Sequence, residues 1–432
     1  MQYYSTNDKN LKVNLKDAVF RGISSDGGLY MPERIPQMPD SFFQDINTMS
    51  FAGLSFEVAK VLFGEDINAD ELKKLVNDAL SFETPVVNIS PGISTLELFH
   101  GPTLAFKDVG ARFMARMLAL LVKDYHEDIH VLVATSGDTG SAVANGFLGV
   151  PGIKVHVLYP KNKVSKIQES QFTTLSENIT AIEIDGTFDD CQRLVKKAFN
   201  DPDLKEKLTL TSANSINLAR LLPQSLYYFN AFRQLKIKKD LVFCVPSGNF
   251  GNLTAGLIAA RMGLPVKHFI AATNVNDIVP GYLKTGKYEP RPSIATLANA
   301  MDVGDPSNFA RMLDLYGHSV NKMRTDISAY SYSDEEIRQG IKECLSQTGY
   351  LLDPHGSTGY LAAKEYLLDH PDDQVIFLET AHPAKFLETV EETTGMQVKI
   401  PERLEKFMSR EKVSKEMSKE FEEFKSYLRS IN

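Results

Sequence analysis

One lysine lies in a setting that favours covalent chemistry at its side-chain amine. Lys107 follows the apolar pair Ala105-Phe106 and precedes Asp108, the predicted cap of a helix whose apolar residues recur at helical spacing. An apolar neighbourhood and the start of a helix both disfavour a positive charge, so both favour the neutral amine. The neutral amine attacks carbonyl groups and forms Schiff bases. The alternative is a surface lysine whose alkyl stem packs on apolar neighbours while its charge stays in water.

A loop with the composition of an anion-binding site follows the predicted strand 130–134. Residues 135–142 combine hydroxyl groups with glycines just before a helix, and they include Ser136, Gly137, Asp138 and Thr139. Free N–H groups at the start of a helix can hold an anion. The run is not a P-loop because the Gly-Lys-Ser/Thr ending is absent. A plain capped turn is the alternative.

A second loop of this kind follows the predicted strand 241–245. It contains Gly248, Asn249, Phe250, Gly251 and Asn252 and again opens a helix. Two glycines let the main chain approach an anion closely, and the asparagines add side-chain donors. Since the loop has no lysine, a phosphate monoester would be held mainly by N–H groups. The spacing does not fit the dinucleotide-binding fingerprint.

Two further groups of polar residues are candidates for binding. Asn214, Asn217 and Arg220 are three residues apart, so they share one face if the segment is helical, and amide and guanidinium groups suit a second phosphate. An ordinary polar helix start is the alternative. Thr380 and His382 follow the last predicted strand, and we interpret His382 as structural.

The apolar pattern between residues 91 and 378 predicts an α/β protein with mainly parallel sheets. Ligands of such sheets bind beyond the carboxyl ends of the strands, so the loops after Ala134, Val245 and Leu378 are expected at one site. The predicted strands are 130–134, 153–159, 179–184, 241–245, 268–273 and 375–378, and the predicted helices include 141–148, 188–199, 217–234, 253–262 and 357–368. Residues 274–305 are predicted to form a loop, and residues 401–432 a docked terminal helix with one apolar stripe.

Composition narrows the class of protein. The 432 residues are 43% hydrophobic and 24% charged, which is ordinary for a globular protein. A net charge of -8 argues against a nucleic-acid partner. The three cysteines match no metal spacing, so no metal site is predicted, and they fit a reducing compartment. No signal peptide or membrane-spanning stretch is evident, so a cytoplasmic, soluble protein is expected.

A nucleophilic lysine combined with a glycine-asparagine phosphate cup is the chemistry of pyridoxal 5'-phosphate. At this point the sequence resembles the threonine synthase family, in its bacterial and fungal subclass. The matching segments cover almost the whole chain: Tyr3-Tyr4-Ser5-Thr6, Asp26-Gly27-Gly28-Leu29-Tyr30, His100-Gly101-Pro102-Thr103, Phe106-Lys107-Asp108, Ser136-Gly137-Asp138-Thr139-Gly140, Ser212-Ala213-Asn214-Ser215-Ile216-Asn217, Gly248-Asn249-Phe250-Gly251-Asn252 and Glu379-Thr380-Ala381-His382-Pro383. The family usually has Trp where this chain has Leu218.

The resemblance implies a fold-type-II pyridoxal-phosphate enzyme, similar to the tryptophan synthase β subunit. It implies an N-terminal domain over residues 1–90, a smaller α/β domain over 91–220 and a larger one with a C-terminal helix over 221–432. Lys107 would form the Schiff base, Gly248, Asn249, Phe250, Gly251 and Asn252 would hold the cofactor phosphate, and Thr380 would face the pyridine nitrogen. Ser136, Gly137, Asp138 and Thr139 match the segment that binds the substrate α-carboxylate, and Asn214, Asn217 and Arg220 resemble the site for the substrate phosphate.

The implied reaction converts O-phospho-L-homoserine and water to L-threonine and inorganic phosphate. A dehydratase or phospholyase of the same fold remains an alternative, although a dehydratase needs no second phosphate site. A catalytically idle homologue that binds the cofactor is the alternative of another class. Members of the subclass are often monomeric, so a monomer or weak homo-oligomer is expected.

Overall fold

A computed structural model describes residues 1–123, 127–236 and 240–431 of the chain. Its strands are β1 (Tyr3–Ser5), β2 (Lys12–Val13), β3 (Tyr30–Pro32), β4 (Val86–Ser90), β5 (Ile93–Glu97), β6 (Ile129–Ala134), β7 (Ile153–Pro160), β8 (Ile179–Asp185), β9 (Thr209–Ser212), β10 (Leu241–Pro246), β11 (His268–Thr273), β12 (Ile327–Ser331), β13 (Gln374–Glu379) and β14 (Lys415–Ser418). Its α-helices are α1 (Leu15–Arg21), α2 (Asp40–Asp45), α3 (Phe51–Phe63), α4 (Ala69–Ala79), α5 (Lys107–Leu121), α6 (Asp138–Phe147), α7 (Lys166–Thr173), α8 (Phe188–Asn200), α9 (Pro202–Lys207), α10 (Leu218–Leu221), α11 (Ser225–Gln234), α12 (Gly251–Arg261), α13 (Ile278–Thr285), α14 (Phe309–Leu315), α15 (Val320–Asp326), α16 (Asp334–Thr348), α17 (Pro354–Asp369), α18 (Leu387–Thr394), α19 (Glu402–Met408) and α20 (Phe421–Ser430).

Two sheets with mainly parallel strands carry the fold. The larger has the order β12-β11-β10-β13-β5-β4, and only its edge pair, β4 and β5, is antiparallel. The smaller has the order β14-β8-β7-β6-β9, and all its strands are parallel. The strands β6, β10 and β13 are fully or almost fully buried, as expected for sheets covered by helices on both faces. The predicted α/β class is confirmed.

Strand pairing departs from the predicted domain boundaries at two segments. β5, which lies inside the predicted domain 91–220, pairs in parallel with β13 of the larger sheet. β14, near the end of the predicted domain 221–432, pairs with β8 of the smaller sheet. Local apolar patterns do not encode which sheet a strand joins, so both crossings escaped the sequence analysis. The N-terminal residues add a small antiparallel sheet of their own, in the order β2-β1-β3.

Several predicted elements need correction. The stretch 274–305 is not a continuous loop, since it contains α13, which ends at Gly286 in a left-handed conformation. The C-terminal segment forms two helices, α19 and α20, separated by β14, and not one helix with one stripe. The predicted helix 217–234 begins at Leu218 and is interrupted by a 3-10 turn at Leu222–Gln224. Among the described residues, no helix is long and apolar enough to cross a membrane.

The helix that carries Lys107 also begins differently from the prediction. Lys107 is itself its first residue, and Phe106 precedes it without a side-chain cap. Asp108 does not cap the helix. Its carboxylate turns back and accepts hydrogen bonds from Thr103 N at 2.9 Å and Thr103 Oγ1 at 2.7 Å. Asp108 therefore fixes the loop that leads into the helix.

The C-terminal helix docks on the smaller sheet through a buried histidine pair. His130 Nδ1 lies 3.1 Å from His156 Nε2, and His156 Nδ1 lies 2.9 Å from the Tyr427 hydroxyl of α20. Burial lowers the pKa of His156 to about 3. In the unfolded chain a histidine has a pKa of about 6.5, so the unfolded state binds the proton first as the pH falls. The contribution of His156 to stability is therefore complete above pH of about 6.5 and is lost as the pH falls from there toward 3.

We expect the free energy of unfolding to fall by about 2 kcal/mol between pH 7 and pH 5 because of this group. Urea unfolding at both pH values measures the change. In His156→Gln, which cannot take up the proton, the loss over the same pH range should be smaller. An equal loss in the variant would contradict the assignment.

Candidate functional site

A cavity of about 660 Å³ lies where the two sheets meet, beyond the carboxyl ends of β6, β9, β10 and β13. Its wall includes Lys107, Ser136, Gly248 and Thr380, so the three loops expected at one site do come together there. Residues of the N-terminal segment that adjoin β1 and β3, among them Gly28, also line it. A large cavity with converging polar groups is the usual form of a small-molecule site.

Main-chain contacts hold Lys107 next to Thr380. The N–H of Phe106 donates a hydrogen bond to the carbonyl oxygen of Thr380 at 2.8 Å, and Ala105 forms a bridge with Ala381. The loop before α5 is thereby tied to the end of β13, although α5 packs against α6 of the smaller sheet. The amine-bearing residue therefore lies at the junction of the two sheets.

The electrostatic surroundings of Lys107 keep its amine easily deprotonated. Burial lowers its pKa from 10.5 to about 8; Asp138 opposes this shift, and Lys385 and Arg220 add to it. Asp138 is already paired, since its Oδ1 lies 2.7 Å from Lys385 Nζ and accepts a hydrogen bond from Gln168 Nε2 at 2.8 Å. The neutral form of the amine is therefore more populated near neutral pH than in an exposed lysine. The pKa shift has the direction that the sequence analysis predicted.

The second glycine-rich loop forms a cup at the start of α12. Phe250 adopts a left-handed conformation with φ of 57°, and α12 begins directly after it, with no side chain of the described residues capping its first N–H groups. A Cβ atom on Gly248 would lie 2.6 Å from Met301 Cα, so only glycine fits there. The uncapped N–H groups of an 11-residue helix are a natural site for an anion.

The two asparagines of the cup have different roles. Asn249 donates from Nδ2 to Ser215 Oγ at 2.8 Å and accepts at Oδ1 from Ser307 N at 2.6 Å, so its side chain fixes the shape of the loop. Asn252 accepts at Oδ1 from Tyr227 at 2.6 Å and Tyr228 at 2.7 Å, but its buried Nδ2 has no partner among the described residues. An unused buried donor beside uncapped N–H groups fits the phosphate of pyridoxal phosphate.

The predicted carboxylate-binding loop reaches the cavity through its hydroxyl residues. Ser136 and Thr139 line the wall. Asp138 is only 4% exposed and its side chain turns to Lys385, so an anion would meet the main chain and the hydroxyl groups instead. Gly137 has φ of 144° and lies so close to Gln168 that a Cβ atom would be 2.6 Å away. Gly137 and Asp138 thus shape the loop.

The predicted second anion site is only partly assembled. Asn214 and Arg220 line the cavity, and Arg220 is buried with its Nη1 donating to the carbonyl oxygen of Ala213. Asn217 does not share a helical face with Asn214, because α10 starts only at Leu218. Its Nδ2 donates to Val19 O at 2.8 Å and to Ser212 O at 3.0 Å, while its Oδ1 caps the helix at Ala219 N. The contacts of Asn217 are those of a structural residue.

Arg220 supplies a positive charge that no carboxylate neutralises by direct contact in the described residues. Burial lowers its pKa to about 10, and the charge of Asp108 acts against this. Its Nε has no hydrogen-bond partner among the described residues. A buried cation at the wall of a cavity stabilises an anion that enters it.

Sequence reasoning missed a buried group at the far side of the cavity. His355, at the start of α17, lines the wall, and Asp353 caps the same helix. The side chain of Glu379, next to Thr380, is buried beneath, and burial together with the charge of Asp353 raises its pKa well above the usual value. The sequence Asp353-Pro354-His355 announces a helix start, but its contacts with distant loops are not visible in the sequence.

The close packing of Gly248 leads to a testable prediction. In Gly248→Ala the new methyl group would meet main-chain atoms of residues 300 and 301 at 2.6 to 2.8 Å, so the loop must shift. We expect a stability loss of about 1–3 kcal/mol and weaker retention of pyridoxal phosphate, measured by thermal unfolding and by dialysis. Gly281→Ala, with nothing within 4 Å of the new Cβ, is the matched control. Unchanged cofactor retention in the Gly248 variant would contradict the cup.

Comparisons with known proteins agree with this site. Three family models match: "Threonine synthase N terminus" over residues 2–80, "Pyridoxal-phosphate dependent enzyme" over 93–380 and "Threonine synthase, C-terminal" over 357–428. Threonine synthase of Haemophilus influenzae is 44% identical over 430 residues, covering 99% of both chains. Threonine synthase of Saccharomyces cerevisiae is 37% identical, covering 90% of this chain and 88% of its own.

Solved structures give the same result. The crystal structure of threonine synthase from Escherichia coli is similar over 100% of both chains, with a TM-score of 0.94 and 42% identity. The crystal structure of pyridoxal-phosphate-bound threonine synthase from Brucella melitensis has a TM-score of 0.92 and 34% identity, covering 100% of this chain and 99% of its own. The fold is therefore that of the fold-type-II pyridoxal-phosphate enzymes, and the chain belongs to the threonine synthase family.

Proposed function

We propose that the chain catalyses the pyridoxal-phosphate-dependent conversion of O-phospho-L-homoserine and water to L-threonine and inorganic phosphate. The observation that carries this proposal is the content of one cavity: a lysine amine with a lowered pKa, an uncapped helix start that fits one phosphate, and a buried arginine suited to a second. A substrate that carries its own phosphate explains why the buried Arg220 lines the cavity. A dehydratase would not need this arginine.

The proposed role of Lys107 is proton transfer. When its aldehyde is joined to the amine of an amino acid, pyridoxal phosphate withdraws electrons from the Cα atom of that amino acid. The Cα proton is then easier to remove. Lys107 would hold the cofactor through its amine, and the pKa of the free amine, about 8, suits proton exchange near neutral pH. We propose that Lys107 removes the Cα proton and then a Cβ proton of the substrate, so that phosphate leaves Cγ, and that it returns protons to Cγ and Cα. Water supplies the hydroxyl group at Cβ, and its remaining proton goes to the released phosphate.

Thr380 is proposed to face the pyridine nitrogen. It is 6% exposed and lines the cavity. A neutral hydroxyl does not stabilise a protonated ring as a carboxylate would. The nearby carboxylate of Glu379 does not replace it, because that side chain is buried on the other side of the strand, where its Oε1 accepts a hydrogen bond from Asp353 N at 2.8 Å.

The remaining residues are proposed to bind and orient the substrate. Ser136, Thr139 and the N–H groups at the start of α6 would receive the α-carboxylate, and Asn214 and Arg220 the phosphate. Because Arg220 is buried in the cavity wall, it would also hold the phosphate in position as it leaves the substrate. For Asn217 we propose positioning of this loop through its contacts with Val19 and Ser212.

Assembly and location are also proposals. We propose a cytoplasmic protein that is a monomer or a weak homo-oligomer; the three buried cysteines, which form no disulfide among the described residues, support a reducing compartment. Light scattering of the purified protein measures the assembly state.

Phosphate release from O-phospho-L-homoserine, with the amino-acid product identified in the same sample, tests the function. We expect threonine and phosphate in equal amounts. Formation of 2-oxobutanoate would indicate a dehydratase or phospholyase, and a visible cofactor band without any product would indicate an idle homologue.

A further inference from the structure

The side chains of Asp353 and His355 connect two segments at the cavity, one at Ala300 and one at Ala381. Asp353 accepts a hydrogen bond at Oδ2 from the N–H of Ala381 at 3.1 Å, and its Oδ1 lies 2.8 Å from His355 Nδ1. On the far side of the imidazole, His355 Nε2 accepts a hydrogen bond from the N–H of Ala300 at 3.2 Å. Asp353 is 0% exposed and His355 is 2% exposed, so both side chains of the path are buried, while its Ala300 end lies at the cavity wall.

The contacts fix the proton on the imidazole ring. A main-chain N–H can only donate, so Nε2 toward Ala300 carries no proton. Nδ1 then carries the hydrogen and donates it to Asp353 Oδ1. Each ring nitrogen thus has one partner, and the ring cannot rotate without leaving a buried polar group unpaired.

Each end of this path touches a part of the site that has a proposed role toward the cofactor. Ala300 and Met301 pack against Gly248 of the cup, where a Cβ atom would lie 2.8 Å from Ala300 O and 2.6 Å from Met301 Cα. Ala381 directly follows Thr380, and its main chain pairs with the loop that leads to Lys107. The path therefore joins the phosphate end of the site to the ring end.

We propose that Asp353 and His355 are positioning residues that fix the distance between the phosphate cup and Thr380. This inference rests on the proposed function only in assigning the cup to phosphate and Thr380 to the pyridine ring. Since only a methylene group and an ester oxygen join the phosphate of the cofactor to its ring, the span between the two ends is limited, and a site whose two ends are joined in this way holds both contacts at once. Neither residue needs to touch the reacting atoms.

Two substitutions break the end contacts of this path, at Ala300 and at Ala381, one at a time. In His355→Asn the side-chain amide can still donate to Asp353 from the position of Nδ1, but the acceptor for Ala300 is lost. In Asp353→Asn the remaining oxygen can keep the three contacts of the helix cap, with His355 N, His355 Nδ1 and Gly356 N, while the new NH₂ group faces the N–H of Ala381. His355→Asn therefore breaks the contact with Ala300 beside the phosphate cup, and Asp353→Asn breaks the contact with Ala381 beside Thr380.

The test uses the full chain, stripped of cofactor and titrated with pyridoxal phosphate and with pyridoxal, which lacks the phosphate. For His355→Asn we expect the preference for pyridoxal phosphate over pyridoxal to fall about tenfold, with the visible absorption band of the bound cofactor unchanged. For Asp353→Asn we expect a shift of that band or of its pH dependence, with the preference retained. His355→Gln, whose amide oxygen reaches the position of Nε2, should restore most of the preference.

If His355→Asn lost the same affinity for pyridoxal phosphate and for pyridoxal and also had a lower thermal midpoint, the role of His355 would be purely structural. That result would overturn the proposal. Loss of the preference in His355→Gln to the same extent as in His355→Asn would also overturn it. His318→Asn is the matched control, because His318 is exposed and its left-handed backbone, with φ of 59°, suits Asn. Ligand binding is measured without turnover, so a failure of the proposed reaction leaves this test intact.

Discussion

Lys107→Ala is expected to lower the rate of threonine formation by about 10⁴-fold or more, because the variant lacks both the covalent attachment point and the group proposed to move protons. The loss follows from the position of the amine at the first residue of α5, where burial brings its pKa to about 8. The cup is separate from this side chain, so weak cofactor binding should remain. The measurement is single-turnover formation of threonine from O-phospho-L-homoserine.

Lys205→Ala, on the exposed face of the short helix α9, is the matched control and should retain full activity. Threonine formation by the Lys107 variant within about a hundredfold of the unchanged chain would refute the catalytic role. A second measurement uses the pH dependence of cofactor attachment to the stripped chain. The attachment rate should rise up to a pH of about 8 and then level off, since the neutral amine is the reactive form.

Lys385→Met is expected to lower the free energy of unfolding by about 3–5 kcal/mol. Lys385 is 1% exposed, and its ammonium group lies 2.7 Å from Asp138 Oδ1 and 2.9 Å from the carbonyl oxygen of Thr103. Methionine fills similar space but leaves the carboxylate of Asp138 buried without its partner. Chemical denaturation of both proteins gives the difference.

The same substitution should also raise the pKa of Lys107. Lys385 lowers that pKa and Asp138 raises it, so removal of Lys385 leaves the carboxylate unopposed. Cofactor attachment should then require a higher pH. The double variant Asp138→Asn/Lys385→Met removes the orphaned charge and should be more stable than the single variant. A loss below about 1 kcal/mol in Lys385→Met would show that Asp138 is compensated in another way.

The parts of the site that the sequence predicted are those encoded by local patterns. Alternating strands and helices place successive loops at one edge of a sheet, and the loops containing Ser136, Gly248 and Thr380 do line one cavity. The setting of Lys107 is likewise local, because its apolar neighbours and the helix start adjoin it in the chain. The direction of its pKa could therefore be predicted.

The parts that were missed depend on contacts between distant segments. The three-residue spacing of Asn214, Asn217 and Arg220 has meaning only in a helix, and the chain turns there before α10 starts. Asp353 and His355 are near each other in sequence, but their partners lie in the loops at Ala300 and Ala381. β14, a strand with one buried residue, completes the smaller sheet, and no local sequence pattern indicates this.

The position of β14 has a consequence for how the protein is made. A ribosome synthesises β14 more than two hundred residues after β8, the strand with which it pairs. Until then the outer edge of β8 is unpaired, and the apolar surface that Phe424 and Leu428 of α20 later cover stays open. A nascent chain from which residues 415–418 have not yet emerged would therefore carry an unpaired sheet edge. Pairing of β14 with that edge is the final step in forming the smaller sheet.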